Sequence, residues 1–168
     1  MSNHPNVFVD ARTTGGVLAI GSGEIQAAGA TLGYWPSPGA LDSYIHLEAR
    51  SAESVIEIGP GSVINNGCTF IAEGPGIRIG RETLVGPRTT IFDSDFHHLD
   101  AARRSESPPK MAPVLIGNGV FIGAQVMILK GVTIDDHAVV AGGAVVTRDV
   151  GVGEIAAGNP AKIIGTAP

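Results

Sequence analysis

The sequence predicts an all-β fold, a parallel β-solenoid, on three observations. Aliphatic residues recur every six positions without a break from Ile116 to Val150. The 168 residues include 17 Ile and 16 Val but only 8 Leu, and β-branched side chains suit strands. Gly is 24 of the 168, about twice the usual share of ~7%. The hexads decide the architecture. Residues six apart on an α-helix stand roughly 240° around its axis and share no face. In a short strand followed by a tight turn, the first and fifth positions both point inward. Stacking such units buries one continuous column, the hexapeptide solenoid.

Residues 1–50 show little of this period. Gly15-Gly16, Gly21, Gly23 and Pro36-Ser37-Pro38-Gly39 mark turns. They are expected to form irregular first coils and a cap, because a solenoid end exposes unpaired strand edges. Trp35 is expected to serve that cap.

A first array follows over 55–92. Ile58 and Ile64 are six apart with Ser62 at position five; Ile79, Val85 and Ile91 repeat the spacing with Thr83 and Thr89. The frame slips at Ala72-Glu73-Gly74-Pro75-Gly76, a small loop.

Residues 93–113, DSDFHHLDAARRSESPPKMAP, interrupt the repeat. They are rich in charge and hold His97 and His98. An insertion the core does not need is a functional candidate.

The second array covers 114–150. Position one is Ile116, Ile122, Ile128, Ile134, Val140 and Val146; position five is Val120, Val126, Val132, Ala138, Ala144 and Val150. Phe121 and Met127, at position six, are expected at a subunit interface, and His137 at an exposed corner. Residues 151–168 lose the register and are expected to close the far end. The whole reads as one domain, 1–168.

Composition narrows the function. A net charge of −5 lacks the basic footprint of nucleic-acid binding. One cysteine, Cys68, forms no internal disulfide and is expected as a small buried hydrophobe. No apolar run reaches ~18 residues, and the first residues do not read as a signal peptide. A soluble cytoplasmic protein without an integral membrane segment is expected.

The hexads, the loop Asp93-Ser94-Asp95-Phe96-His97 and the late segment Ala157-Gly158-Asn159-Pro160-Ala161-Lys162 together resemble the hexapeptide-repeat acyltransferases. The nearest branch is the galactoside/maltose and polysaccharide O-acetyltransferases, with coverage from about residue 55 to 165. The resemblance implies a left-handed parallel β-helix, and the hand rests on it alone, since crossovers are ordinarily right-handed. It implies a homotrimer with acetyl-CoA as acyl donor, bound between two subunits, and no metal. The acceptor would be a hydroxyl of a sugar or polysaccharide precursor.

The resemblance puts His97 at the place of the catalytic general base. Imidazole titrates near ambient pH and can take the proton of a weakly nucleophilic hydroxyl. If the segment is extended, Asp93, Asp95 and His97 project to one side, and Asp95, or else Asp93, would orient the ring. Many relatives have Pro where His98 stands, so which histidine acts stays open. Ala124 and Gly142 match positions facing the thioester and pantetheine arm, where backbone N–H groups could hold an oxyanion. Thr147, Arg148 and Lys162 match the phosphate end of the cofactor site; Asn65 matches an acceptor-binding Asn. Arg103 and Arg104 are weaker candidates.

Three alternatives stand beside this reading: an amine rather than hydroxyl acceptor, a non-enzymatic scaffold, and a metal-binding β-helix of the trimeric carbonic-anhydrase type. Asp93, Asp95, His97, His98 and Asp100 are dense in ligand types, but the paired zinc histidines of such anhydrases, five apart, have no counterpart here.

Overall fold

The computed structural model describes residues 6–8, 12–13, 16–33, 44–106 and 110–168. The chain winds into a left-handed prism with three walls of parallel strands. The first wall stacks Asn6–Phe8, Glu24–Gln26, Val55–Ile58, Ile77–Ile79, Val114–Ile116 and Thr133–Ile134. The second stacks Arg12–Thr13, Thr31–Leu32, Val63–Ile64, Leu84–Val85, Phe121–Ile122 and Val139–Val140, and ends in Glu154–Ala157 with Lys162–Thr166 antiparallel to it. The third stacks Gly16–Gly21, Tyr44–Ala49, Thr69–Ala72, Thr90–Phe92, Met127–Ile128 and Val145–Val146.

The hexad register is the register of the walls. Leu115 pairs with Thr133, Phe121 with Val139 and Met127 with Val145, each 18 residues on. All twelve aliphatics at positions one and five of the second array are at most 4% exposed. Burying each large one contributes roughly 1.5–3 kcal/mol. In the first array the fifth position is polar yet fully buried, and each side chain finds a partner one coil on. Ser62 Oγ donates to Gly80 O (2.7 Å), Thr83 Oγ1 to Gly117 O (2.9 Å) and Thr89 Oγ1 to Gly123 O (3.1 Å). Cys68 Sγ joins this pattern toward Gly86 O. Burial pushes its thiol up to about 12.

Among the described residues, strands from Asn6 onward already occupy all three walls. The first coils are irregular in length: Gly16 pairs with Tyr44, 28 residues on. Trp35 lies outside the described residues.

From the coil that starts at Tyr44 onward, extra residues enter at one corner, from the third wall to the first. Across it His46 pairs with Thr69, Thr69 with Thr90 and Thr90 with Met127, separations of 23, 21 and 37 residues. The segments around 50–54, 73–76 and 93–113 therefore stack along one edge of the prism. No helix among the described residues is long and apolar enough to cross a membrane.

Candidate active site

The longest of these excursions carries His97. Its two ends pair briefly: Ser94 bridges Met111, and Asp95 N donates to Lys110 O (3.1 Å). Beyond them Asp100 caps a short 3-10 turn, Ala101–Arg103, by accepting from Ala102 N.

The expected alignment of Asp93, Asp95 and His97 on one side of an extended segment does not occur. Phe96 has φ +60°. Around it His97 N donates to Asp95 O (2.7 Å), closing a tight γ-turn that reverses the chain. Period-two alternation fails there, and each acidic residue goes elsewhere.

Asp93 is wholly buried and looks back at the neighbouring coil. Its Oδ1 accepts from Glu73 N (2.8 Å), and its Oδ2 from Gly74 N (3.0 Å) and Gly76 N (2.8 Å). It holds the 73–76 turn rather than the histidine. Gly76 is required in that turn: φ is +103°, and a Cβ there would stand 2.3 Å from Val55 O. Asp95 Oδ1 is taken by Lys130 Nζ at 2.5 Å, and its Oδ2 is buried with no partner.

The orienting group for His97 is instead a main-chain carbonyl. His97 Nδ1 lies 3.1 Å from Arg104 O. A carbonyl only accepts, so Nδ1 carries the hydrogen, and in the neutral ring Nε2 has the lone pair. The side chain is exposed, as a base meeting an incoming substrate must be. His98 is half-buried, and its Nε2 is enclosed without a partner. That environment suits packing better than proton exchange.

The remaining expected residues fall elsewhere. Asn65, Ala124 and Gly142 stack on the corner from the second wall to the third, a different edge from that of His97. Asn65 Oδ1 accepts from Asn66 N (2.9 Å). With Val63, Leu84, Val85 and Gly86 it lines a cavity of about 280 Å³. Ala124 and Gly142 are exposed, and Ala124 O accepts from Gly143 N (2.9 Å). Small residues on this edge also serve stacking: a Cβ on Gly123 would stand 2.5 Å from Gly142 N.

Thr147 and Arg148 are exposed on the His97 corner, farther along the axis. Arg148 and Lys162 line one cavity of about 220 Å³ with Val150, Ala156 and Ala161. Within a single chain, then, His97 and the expected thioester-facing positions lie on different edges of the prism.

The ligand-rich set of the loop is dispersed among a turn, a lysine and a cap. No three His, Cys, Asp or Glu side chains are grouped for a metal among the described residues. Residues missed from sequence are Lys130 and the Arg104 carbonyl. Neither has a local signal, since one depends on coil stacking and the other on a reversal.

A family model described as bacterial transferase hexapeptide (six repeats) matches residues 113–148. Galactoside O-acetyltransferase of Escherichia coli (strain K12) is 33% identical over 111 residues, covering 66% of this chain and 54% of that protein. The chain spans about half the length of the curated relatives it matches, 56%, 52% and 54% for three of them. Among solved structures, a hexapeptide-repeat acetyltransferase from Vibrio cholerae is 28% identical with TM-score 0.68, over 88% of this chain and 75% of that one. A galactoside acetyltransferase solved with coenzyme A is 26% identical with TM-score 0.64, over 83% and 64%. The matched repeat, the three-walled coil and these relatives agree: residues 113–148 carry the hexapeptide repeat of bacterial transferases, and the chain is similar in sequence and fold to hexapeptide-repeat acetyltransferases.

Proposed function

We propose that this protein is an acyltransferase that moves an acetyl group from acetyl-CoA to a hydroxyl of a sugar or polysaccharide precursor. The observation that carries the reading is the His97 ring. Its Nδ1 is committed to Arg104 O, which leaves Nε2 as the basic nitrogen on an exposed side chain. In the reaction Nε2 takes the acceptor's hydroxyl proton as the oxygen attacks the thioester carbonyl. The C–O bond forms, the C–S bond breaks, and the proton passes to the departing sulfur. The Arg104 carbonyl stabilises the imidazolium that exists between those events. Relatives support the donor: the Vibrio cholerae acetyltransferase, 26% identical in a second structure, is complexed with acetyl coenzyme A.

The donor's fit rests on this chain's own residues. Ala124 and Gly142 present backbone with little side chain in front of it, where an oxyanion could be held. Arg148 and Lys162, on one cavity, supply cations for phosphates.

The site is completed by a second copy. His97 occupies one edge and Asn65, Ala124 and Gly142 another, so a cyclic trimer that apposes unlike edges brings them together. The outer side of the second wall supports such packing. Val63, Leu84, Phe121 and Val139 follow in register there, with Leu84 49% and Phe121 51% exposed. Phe121, expected at a subunit interface, lies on this face, whereas Met127, expected there too, lies on the third wall.

The test is release of coenzyme A thiol from acetyl-CoA across a panel of hydroxyl and amine acceptors. Turnover with a saccharide hydroxyl supports the reading. Turnover confined to amines, or none together with no calorimetric heat from acetyl-CoA at millimolar concentration, overturns it.

A further inference from the structure

The residue before His97 sits in a conformation that a phenylalanine rarely adopts. Phe96 has φ +60° and is the centre of a γ-turn. Strained backbone of this kind persists only where surrounding groups over-determine it. Here they reach the segment Ser94–Phe96 from three other coils of the same edge. Glu73 accepts from Ser94 Oγ (2.7 Å), and Ser94 Oγ accepts in turn from Phe96 N (2.8 Å). The Arg50 guanidinium lies 4.8 Å from the centre of the Phe96 ring, which Phe92 meets edge-on at 5.1 Å. From the opposite direction along the axis Lys130 holds Asp95 Oδ1 at 2.5 Å, with the two side chains only 19% and 23% exposed.

Resting on the proposed role of His97 as the base, we infer that Lys130 is a positioning residue for it. Asp95 supplies the carbonyl that His97 N–H bonds. Lys130 is the only group bonded to the Asp95 side chain among the described residues, and the second carboxylate oxygen has no other anchor. Fixing Asp95 fixes one arm of the γ-turn, and the turn aims the His97 ring at Arg104 O. That bond is what holds the hydrogen on Nδ1 and keeps Nε2 basic. Lys130, 35 residues from Asp95 in sequence, thus acts on His97 through one carboxylate and one turn.

The experiment reads the His97 tautomer by long-range ¹H–¹⁵N NMR of the intact protein above pH 8, with the signal assigned by its loss in His97→Ala. Wild type shows the hydrogen on Nδ1. Lys130→Met is expected to shift a large share to Nε2, while Lys130→Arg, which keeps a cation, retains the wild-type pattern. A wild-type His97 spectrum in Lys130→Met overturns the inference. Should that variant fail to fold because it strands a buried carboxylate, Asp95→Asn with Lys130→Met removes the stranded charge, and the same two outcomes decide. With acetyl-CoA as donor, Lys130→Met should lower kcat by roughly 10–100-fold, the scale of a ~1 Å misplacement, with the donor KM within about twofold. The NMR result does not depend on turnover. If His97→Ala keeps full activity the base assignment fails, whatever the tautomer shows.

Discussion

His97 turns its Nδ1 to the main-chain carbonyl of Arg104, 3.1 Å away, and not to either of the carboxylates two and four residues before it. A backbone carbonyl cannot be titrated, so it fixes the tautomer of the neutral ring wherever the loop is folded. His97→Ala should therefore cost about 10²–10⁴-fold in turnover, the ordinary worth of a positioned base. Acetyl-CoA affinity and melting temperature should stay near wild type, because the side chain is exposed. His98→Ala should do the reverse, lowering the melting temperature while the folded protein keeps most of its turnover. Steady-state rates beside thermal melts distinguish the two, and the opposite pattern would make His98 the base.

The walls were legible in the sequence because they follow from local chemistry. Ile116 and Val120 face inward for the same reason as Ile134 and Ala138, and a six-residue period states it directly. The buried Ser62, Thr83 and Thr89 were legible by position too, since they fill the slot that Val and Ala fill later. The loop was less so. That it departs at Asp93 was evident, but its internal geometry depends on a left-handed Phe96 and on Arg50, Glu73 and Lys130, which only coil stacking brings near. Simple alternation therefore sent Asp93 to the wrong side. The division of the expected site between two edges likewise needs the wall assignment of every strand.

Asp93 is predicted to be structural. Its carboxylate accepts three backbone N–H groups of the 73–76 turn while wholly buried. Each stranded donor costs about 1–3 kcal/mol, so Asp93→Ala should destabilise by at least ~3 kcal/mol. Asp93→Asn should cost less, since an amide keeps one acceptor oxygen but turns an N–H toward one of the donors. Urea unfolding measures both. A turnover per folded molecule that falls as far as in His97→Ala, with stability intact, would return Asp93 to the catalytic set.

Cys68 gives a pH prediction. Burial raises its thiol from 9.0 to about 12, so the folded chain holds that proton more tightly than the unfolded chain does. Between those values the native state carries the extra proton, and stability declines as pH rises through the window; below 9.0 this group costs nothing. Cys68→Ala should flatten that alkaline decline. At pH 8 the thiol should resist a disulfide reagent until urea unfolds the protein. Rapid labelling of native protein would show that the site is open.

The division of the site between edges predicts complementation between inactive chains. His97→Ala removes the base on one edge, and Ala124→Trp fills the approach to the backbone on another. Each variant should form the same trimer and be inactive alone. In the proposed trimer each site would join the loop edge of one copy to the small-residue edge of the next. When both variants are co-expressed in equal amounts and assort at random, a site is intact only if its loop comes from an Ala124→Trp chain and its opposite edge from a His97→Ala chain, so about a quarter of wild-type activity should return. Separately purified variants mixed without subunit exchange should stay inactive. If each chain held a whole site, no mixing ratio would restore turnover. That result would locate His97 and Ala124 in the same protomer's chemistry, against their separation on the prism.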